Sequence, residues 1–500
     1  MAATAPRPFS TTSALLPDRA LDPKKATSCG TSSESAIDET EPLIDAGDVD
    51  LYTSPASEAK LLAKYSLPLT ATYLLQYSFN LVTIFVVGHL GTDELGAVSL
   101  ATMTANITGL AVYEGLATSL DTLCAQAYGS GHKTHVGLHL QRMALFLLLV
   151  TIPIGAIWLS SGFILSALVP EKDLAILAGQ FLRILVVGAP GYALFEAGKR
   201  FVQAQGLFNA SLLVLLICTP INILLNYLFV FQFHWGLAGA AFAVSISQLL
   251  LPLTLFLYVR FINPTSLTCW GGLTKQALHS WTPMIRLSIP GIVMVEAEWL
   301  AFDIMTFSAS YLTTAHLAAQ SVIMTTCVVM FHIPFSVSVA VSTRLGNLVG
   351  AGSLAAAKVA TRSYCTIFAV MGLVDAALLA SLRNVIPRAF SDDPIVVRIA
   401  AGVMPVLAAF QFFDATTALA NGLLRGLGRQ SVGGWVNLAV YYLLALPLAL
   451  FLCFGPAHLQ LEGLWIGCVA GSGMISCAEG AYLKWMDWDR AVQDVSERED

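Results

Sequence analysis

Residues 294–303 read MVEAEWLAFD and place Glu296, Glu298 and Asp303 inside an apolar run that begins at Pro290. A carboxylate at the centre of a bilayer costs about 2.5–3.5 kcal/mol on insertion scales, and such acids mark ion or substrate paths. At about 100° per residue, Glu296 and Asp303 share one helix face while Glu298 points nearly the opposite way. The three therefore do not fit one narrow stripe of a regular helix, and the pattern predicts local unwinding or a separate role for one of them. The plainer reading is that each acid pairs with a base or hydroxyl on a neighbouring helix. It competes for any one residue, but far less well for three acids so close together.

Working outward, 56% of the 500 residues are hydrophobic and 12% are charged, against about 25% charged in soluble domains. This is a polytopic membrane protein. The net charge of −6 carries no message about nucleic acid, because many of the acids crowd into residues 1–59. The nine cysteines are scattered, without CxxC or the Cys/His spacing of a zinc site. His132, His135 and His139 share a helical side but have no carboxylate or thiol to complete a metal site. No metal, cofactor or enzymatic nucleophile–base arrangement is expected.

Residues 1–59, rich in Ser, Thr, Ala, Asp and Glu, contain no apolar run of signal-peptide length and are expected to form a disordered acidic tail. Within it, Glu39-Thr-Glu-Pro-Leu43-Ile44 resembles the acidic dileucine signal that sorting adaptors read. From residue 60, spanning-length apolar segments follow at 63–88, 96–120, 138–160, 174–203, 208–231, 236–261, 281–308, 316–340, 357–381, 395–424, 431–455 and 462–485. The fold class is an all-α bundle of twelve transmembrane helices. Basic residues concentrate in the loops that share a side with the N-terminus, which predicts that both termini are cytoplasmic.

Internal repetition divides the bundle. Ser66-Leu-Pro68 recurs as Ser288-Ile-Pro290, Ala97-Val-Ser99 as Ala319-Gln-Ser321, Gly129-Ser-Gly131 as Gly350-Ala-Gly352, and Gly206 as Gly428. The spacing stays at about 222 residues, so the chain divides into a six-helix lobe at 60–262, a linker at 263–280 and a second lobe at 281–485, followed by a short tail at 486–500. An even number of helices per lobe gives both the same orientation, related by a pseudo-two-fold axis along the membrane normal. At the same spacing Glu298 falls opposite Gln76, and Asp414 opposite Tyr192, or opposite Glu196 with one turn gapped. The lobes share a fold but not a charge pattern.

Four stretches, EGLATSLDTLCAQAYGSG (114–131), MVEAEWLAFD, IPFSVSVAVSTRLGNLVGAG (333–352) and FFDATTALANGLLRGLGRQ (412–430), resemble the multidrug and toxic compound extrusion family in its eukaryotic, fungal-like branch. The resemblance covers residues 60 to about 485 and implies antiport of small organic cations or drug-like compounds against protons, or sodium in some members. Glu298 and Asp303 match the family's helix 7 acids, Asp414 its helix 10 acid, and Gln76 and Asn106 polar positions of the first lobe. Glu296 and Glu114 lie outside that pattern. The aspartate on which some prokaryotic members centre first-lobe coupling has no counterpart, because Gln76 stands in its helix, and Glu114 is the alternative acid there.

Other residues carry plainer expectations. Asp121 reads as a helix cap or the partner of a loop arginine, Arg344 and Arg425 as structural or topogenic charges, and Glu196, Lys199 and Arg200 as a charged helix end whose first and last members pair at i, i+4. Pro290 offers a bending point two turns before Glu298. Tyr77, Phe79, Trp299, Phe302, Phe412, Phe413 and Tyr441 are candidates for cation-π contact with a flat cation. The function expected is proton-coupled export by alternating access from a monomer in the vacuolar or plasma membrane. The alternative is a lipid or lipid-linked oligosaccharide flippase, which requires basic residues deep in the cavity, where this sequence places acids. If the dileucine stretch is an address, replacing Leu43 and Ile44 by alanine moves a fluorescent fusion from vacuolar or late endosomal membranes to the cell surface. Surface localisation of both versions rules the address out.

Overall fold

The computed structural model describes residues 54–168 and 171–499, and among them every regular element is helical. The sorting stretch Glu39, Leu43 and Ile44 lies outside the described residues. The principal helices are α1 (Pro55–Gly88), α2 (Asp93–Gly129), α3 (Lys133–Leu159), the bent pair α4 (Lys172–Leu185 and Ala189–Ala204), α5 (Phe208–Gln232), α6 (Gly236–Ile262), α7 (Thr282–Ala309), α8 (Thr314–Gly350), α9 (Leu354–Ser381), α10 (Pro394–Gly426), α11 (Gln430–Phe454), α12 (Gln460–Trp485) and α13 (Trp488–Glu499). Ten are long and apolar enough to cross a membrane, and α4 adds an eleventh span. The twelfth is α7, 28 residues long, whose three mid-helix acids make it too charged to qualify on apolarity. The arrangement is that of twelve spans in two lobes.

Local chemistry sets the ends of these helices. Ser54 and Ser57 cap α1 reciprocally ahead of Pro55, a proline placed where no helical N–H is needed. Gly131, Gly206, Gly352 and Gly428 all adopt positive φ, between 69° and 87°, just beyond helix ends, where a side chain would be strained. These are the glycines of the 222-residue repeat. The chain bends by 56° within α4, ahead of Pro190. At Pro290 α7 runs on as one helix.

One sequence boundary needs correction. The expected tail 1–59 ends at the α1 cap, because Pro55 to Ala59 are helical and Glu58 is buried. Its carboxylate meets Arg344 Nη2 of α8 at 2.8 Å and accepts from the Tyr364 hydroxyl of α9 at 2.6 Å. The 486–500 tail is helical over Trp488–Glu499, buries Ala491 and Val495, and pairs Asp494 with Arg429. The linker 263–280 forms two short 3₁₀ turns docked along α3, where Gln141 donates to Gly272 O and accepts from Thr274 N–H.

The lobes meet along a seam on the side that carries the α1 start and the α2, α8 and α10 ends. Gln126 of α2 donates to Gly426 O of α10, and Gln430 of α11 donates to Thr118 O and Thr122 Oγ1 of α2. The approach of α2 and α8 is reciprocal: a Cβ on Gly129 would run into Asn347 O, and one on Gly350 into Gln126 O. Asn347 and Gln126 are themselves 221 residues apart, so the repeat read in the sequence is a two-fold contact in space. The carboxylate of Glu58, on helix α1, is thus tied to Arg344 and Tyr364 of the second lobe. Glu58→Leu removes the carboxylate that meets the buried Arg344 guanidinium, which costs about 3–5 kcal/mol and lowers the melting temperature in detergent. Combining it with Arg344→Leu recovers most of that loss.

Candidate functional site

Beyond the seam, on the side away from the described chain ends, the lobes part around a cavity of about 460 Å³. It takes Gln76 and Tyr77 from α1, Asn106 and Glu114 from α2, Tyr192 from α4, Glu296, Glu298, Trp299 and Asp303 from α7, His332 from α8, and Asp414 and Arg425 from α10. Seven residues named from sequence, Gln76, Asn106, Glu114, Glu296, Glu298, Asp303 and Asp414, therefore line one space. The three α7 acids do so from a continuous α-helix. The expectation of unwinding fails because the cavity wraps around α7 and receives side chains from more than one face. Asn106 stands at the first residue of a π-helical turn, Asn106–Leu110, which re-aims α2 beside the cavity.

The two sides of the cavity differ in electrostatics. On the first-lobe side, Gln76 Nε2 donates to the Tyr192 hydroxyl at 3.1 Å and to Glu196 Oε1 at 3.0 Å, while Lys199 Nζ donates to Gln76 Oε1 at 3.2 Å. Glu196 also receives Lys199 Nζ at 2.7 Å and Arg200 Nη1 at 2.5 Å. Arg200 Nε lies 3.3 Å from Asp121, and Arg425 of the second lobe reaches the same carboxylate at 3.8 Å. Arg425 Nη2 donates to Ser338 Oγ at 2.8 Å, and its guanidinium lies 5.6 Å from the Phe335 ring. Glu196, Lys199, Arg200, Asp121 and Arg425 are all buried. The plain readings change accordingly. Asp121 is neither a cap nor paired to a loop, Arg425 ties the lobes together, and the expected Glu196–Arg200 pair forms, within a buried network that also takes in Lys199 and Asp121.

The second-lobe side holds acids without bases. Glu298 Oε1 accepts from the Tyr441 hydroxyl of α11 at 3.1 Å. Asp414 is buried, its Oδ2 has no hydrogen-bond partner, and it lies within electrostatic range of Glu298 and of Asp375 on α9. Among the described residues, Glu296, Glu298, Asp303, Asp375, Asp414 and Glu479 form no ion pair with Lys, Arg or His.

The aromatic candidates separate in the same way. Tyr77, Phe79 and Trp299 line the cavity. Tyr441 instead lies behind Glu298 at the start of a π-helical turn, and Phe302 packs between Phe410 and Trp465 in the lobe's core. Phe412 and Phe413 pack against each other and do not line the cavity. Residues not picked out as cavity or acid-site groups from sequence include His332, whose ring lies 5.3 Å from that of Tyr77, and the buried acids Asp375 and Glu479. Each is an ionisable residue inside an apolar run, which is the signal that picked out residues 294–303.

These contrasting environments predict opposite responses to neutralisation. Glu196→Gln leaves Lys199 and Arg200 short of a counter-charge and costs about 3–5 kcal/mol, seen as lost expression and a lower melting temperature. Glu298→Gln and Asp414→Asn remove a charge that no base balances, so both variants express and melt like the parent.

The sequence model of the MatE family matches this chain twice, over residues 68–228 and 290–451. The two matches begin 222 residues apart, the spacing of the internal repeat. The chain is 42% identical over 438 residues to Uncharacterized transporter YDR338C of Saccharomyces cerevisiae, covering 87% of this chain and 62% of the yeast protein, so it spans less than two thirds of that relative. It is 33% identical over 441 residues to Multidrug and toxin extrusion protein 2 of Mus musculus, covering 88% of this chain and 77% of the mouse protein. In three dimensions it resembles the crystal structure of the eukaryotic MATE transporter AtDTX14 with a TM-score of 0.84 and 31% identity, covering 89% of this chain and 99% of that one.

Proposed function

The chain belongs to the MatE family of membrane transporters, and from that premise we propose that it is a secondary antiporter exchanging organic cations or drug-like compounds for protons. The observation that carries this reading is the set of second-lobe carboxylates, Glu298 and Asp414 foremost, that reach one cavity without a basic partner. An unpaired carboxylate in a water-poor space is costly, and either a proton or an organic cation relieves that cost. Occupation by one removes the site for the other. Combined with alternating exposure of the cavity, this exclusion is sufficient for antiport.

Glu298 and Asp414 titrate as a coupled pair in this reading, because neighbouring carboxylates resist ionising together. Tyr441 holds Glu298 in place from behind. Asp303 and Glu296 add negative potential along the approach, while Tyr77, Trp299 and other cavity aromatics offer faces to a cation, at about 1–2 kcal/mol for a well-desolvated contact. Gln76, tied to Glu196 and Lys199, shapes the first-lobe wall without titrating, and Glu114 is the acid that a first-lobe coupling site would use.

With the chain ends cytoplasmic, the closed seam faces the cytoplasm and the cavity opens to the opposite side, which is an outward-facing state. Export then requires the Arg425–Asp121 and Arg344–Glu58 links to part, since both join the lobes. The protein acts as a monomer in the vacuolar or plasma membrane, and its N-terminal dileucine stretch is an adaptor site. A flippase of anionic lipids is disfavoured, because the unpaired charges in the cavity are negative.

The test is exchange of tetraethylammonium in proteoliposomes under separate proton and sodium gradients. Glu298→Gln and Asp414→Asn each abolish proton-driven exchange while the protein stays folded. Asp303→Asn lowers the rate less, and Glu296→Gln least. Full proton-driven transport by either Glu298→Gln or Asp414→Asn refutes the mechanism, and drive by sodium alone replaces the proton in it.

A further inference from the structure

One residue of the cavity has a chemistry that the acids do not explain. His332 lies on α8 and lines the cavity from the second lobe. Its Nδ1 is 2.5 Å from the carbonyl oxygen of Val328, one turn back on the same helix. A carbonyl oxygen only accepts, so Nδ1 carries the ring hydrogen, and in the neutral imidazole Nε2 is left as a bare acceptor. With Nδ1 turned back onto α8, the Nε2 edge points away from that helix. His332 makes no other hydrogen bond among the described residues, and Nε2 is not one of the buried polar atoms cut off from the cavity.

Aromatic neighbours from three helices hold the ring. The centroids of Tyr77 on α1 and Phe331 on α8 lie 5.3 and 6.3 Å from it, and Phe331 meets Trp299 of α7 edge-on at 6.5 Å. Val328 and Phe331, which anchor and flank His332, border the same small recess as Glu298 and Asp414. The imidazole thus stands beside the acids along the second-lobe wall. Phenylalanine, used at 331 and 335 of this helix, supplies a ring without a polar edge. Histidine adds an acceptor that the protein itself does not satisfy, and an unmet polar group is costly in a water-poor space. Asp414 Oδ2 and Glu296 Oε1, on residues lining the same cavity, also lack hydrogen-bond partners.

We propose that His332 selects among organic cations, favouring those that carry an N–H, namely protonated amines and guanidinium-type groups, over fully alkylated ammonium ions. The N–H of the cation donates to Nε2 of His332, while the unpaired carboxylates balance its charge. A quaternary ammonium also satisfies the carboxylates and lies against the aromatic faces. It offers no hydrogen to Nε2, however, and shields that atom from water. A hydrogen bond involving a charged group is worth about tenfold or more in affinity, which sets the size of the preference.

This inference rests on the organic-cation reading, and the experiment separates the two. Binding to the purified full chain is measured by calorimetry at about pH 8, above the ordinary imidazole range, with two probes of nearly one shape, benzyldimethylammonium and benzyltrimethylammonium. Wild type binds the N–H probe about tenfold more tightly. His332→Phe, which keeps a ring and removes the acceptor, weakens the N–H probe more than the quaternary one and brings the two affinities together. Equal affinities in wild type, or an equal loss of both probes in His332→Phe, overturns the selectivity and leaves organic-cation binding standing. Binding of neither probe to wild type overturns the organic-cation reading and the selectivity with it. Should His332→Phe fail to fold, nitrogen NMR of wild type labelled at histidine decides, since no other described histidine lines the cavity. A ring-nitrogen signal that moves with the N–H probe and not with the quaternary probe supports the proposal, and any other response overturns it.

Discussion

The arrangement of this protein depends on how buried carboxylates are compensated. A charge inside a low-dielectric bundle is tolerated when an opposite charge sits against it and is otherwise costly. The first lobe uses the former solution: Glu196 is gripped by Lys199 and Arg200, and Asp121 by Arg200 and Arg425. The second lobe leaves Asp414, Glu298 and Glu479 to hydroxyls or to nothing. The first lobe thus neutralises Glu196 and Asp121 internally, though not Glu114 at the cavity, while the second carries several carboxylates that no base balances.

This asymmetry sits on a symmetric frame. Gly129 and Gly350 admit the opposite lobe's backbone reciprocally, at positions one repeat apart, and the positive-φ glycines Gly131 and Gly352 turn the chain in the same way in each lobe. Duplicated backbones meeting about a two-fold axis need such matched close approaches. They do not need matched side chains in the cavity, where Glu298 stands opposite Gln76. The ionic links Arg425–Asp121 and Arg344–Glu58 secure the same seam with charges from both lobes.

Much of this was legible in the sequence because the bilayer imposes simple rules. Spanning segments must be long and apolar, so most helix bounds emerged within about five residues, whereas α1 starts eight residues before the expected 63 and α2 and α8 run nine and ten residues past the expected 120 and 340, and the duplicated pattern emerged from glycine and proline anchors. Acids inside those segments are conspicuous for the same reason, and the α7 and α10 acids stood out. The same criterion applied evenly would also have selected Asp375, Glu479 and His332. Less legible was the start of α1, because Glu58 looks like tail composition until Arg344 and Tyr364, nearly 300 residues away, close around it.

By itself the sequence determined the class of protein, the number of spans, the two-lobe repeat and the presence of unexplained intramembrane acids, since each follows from hydrophobicity and spacing along one chain. Only the tertiary structure decided which of those acids were already paid off by bases. Glu196 and Glu298 are both glutamates within apolar helices, and nothing in their local sequence foretells that one meets two cations and the other a tyrosine hydroxyl. The structure also decided that one cavity wraps around α7 and that Tyr441 lies behind Glu298 rather than in the cavity. Those outcomes depend on contacts between residues far apart in the chain, and local periodicity does not encode them.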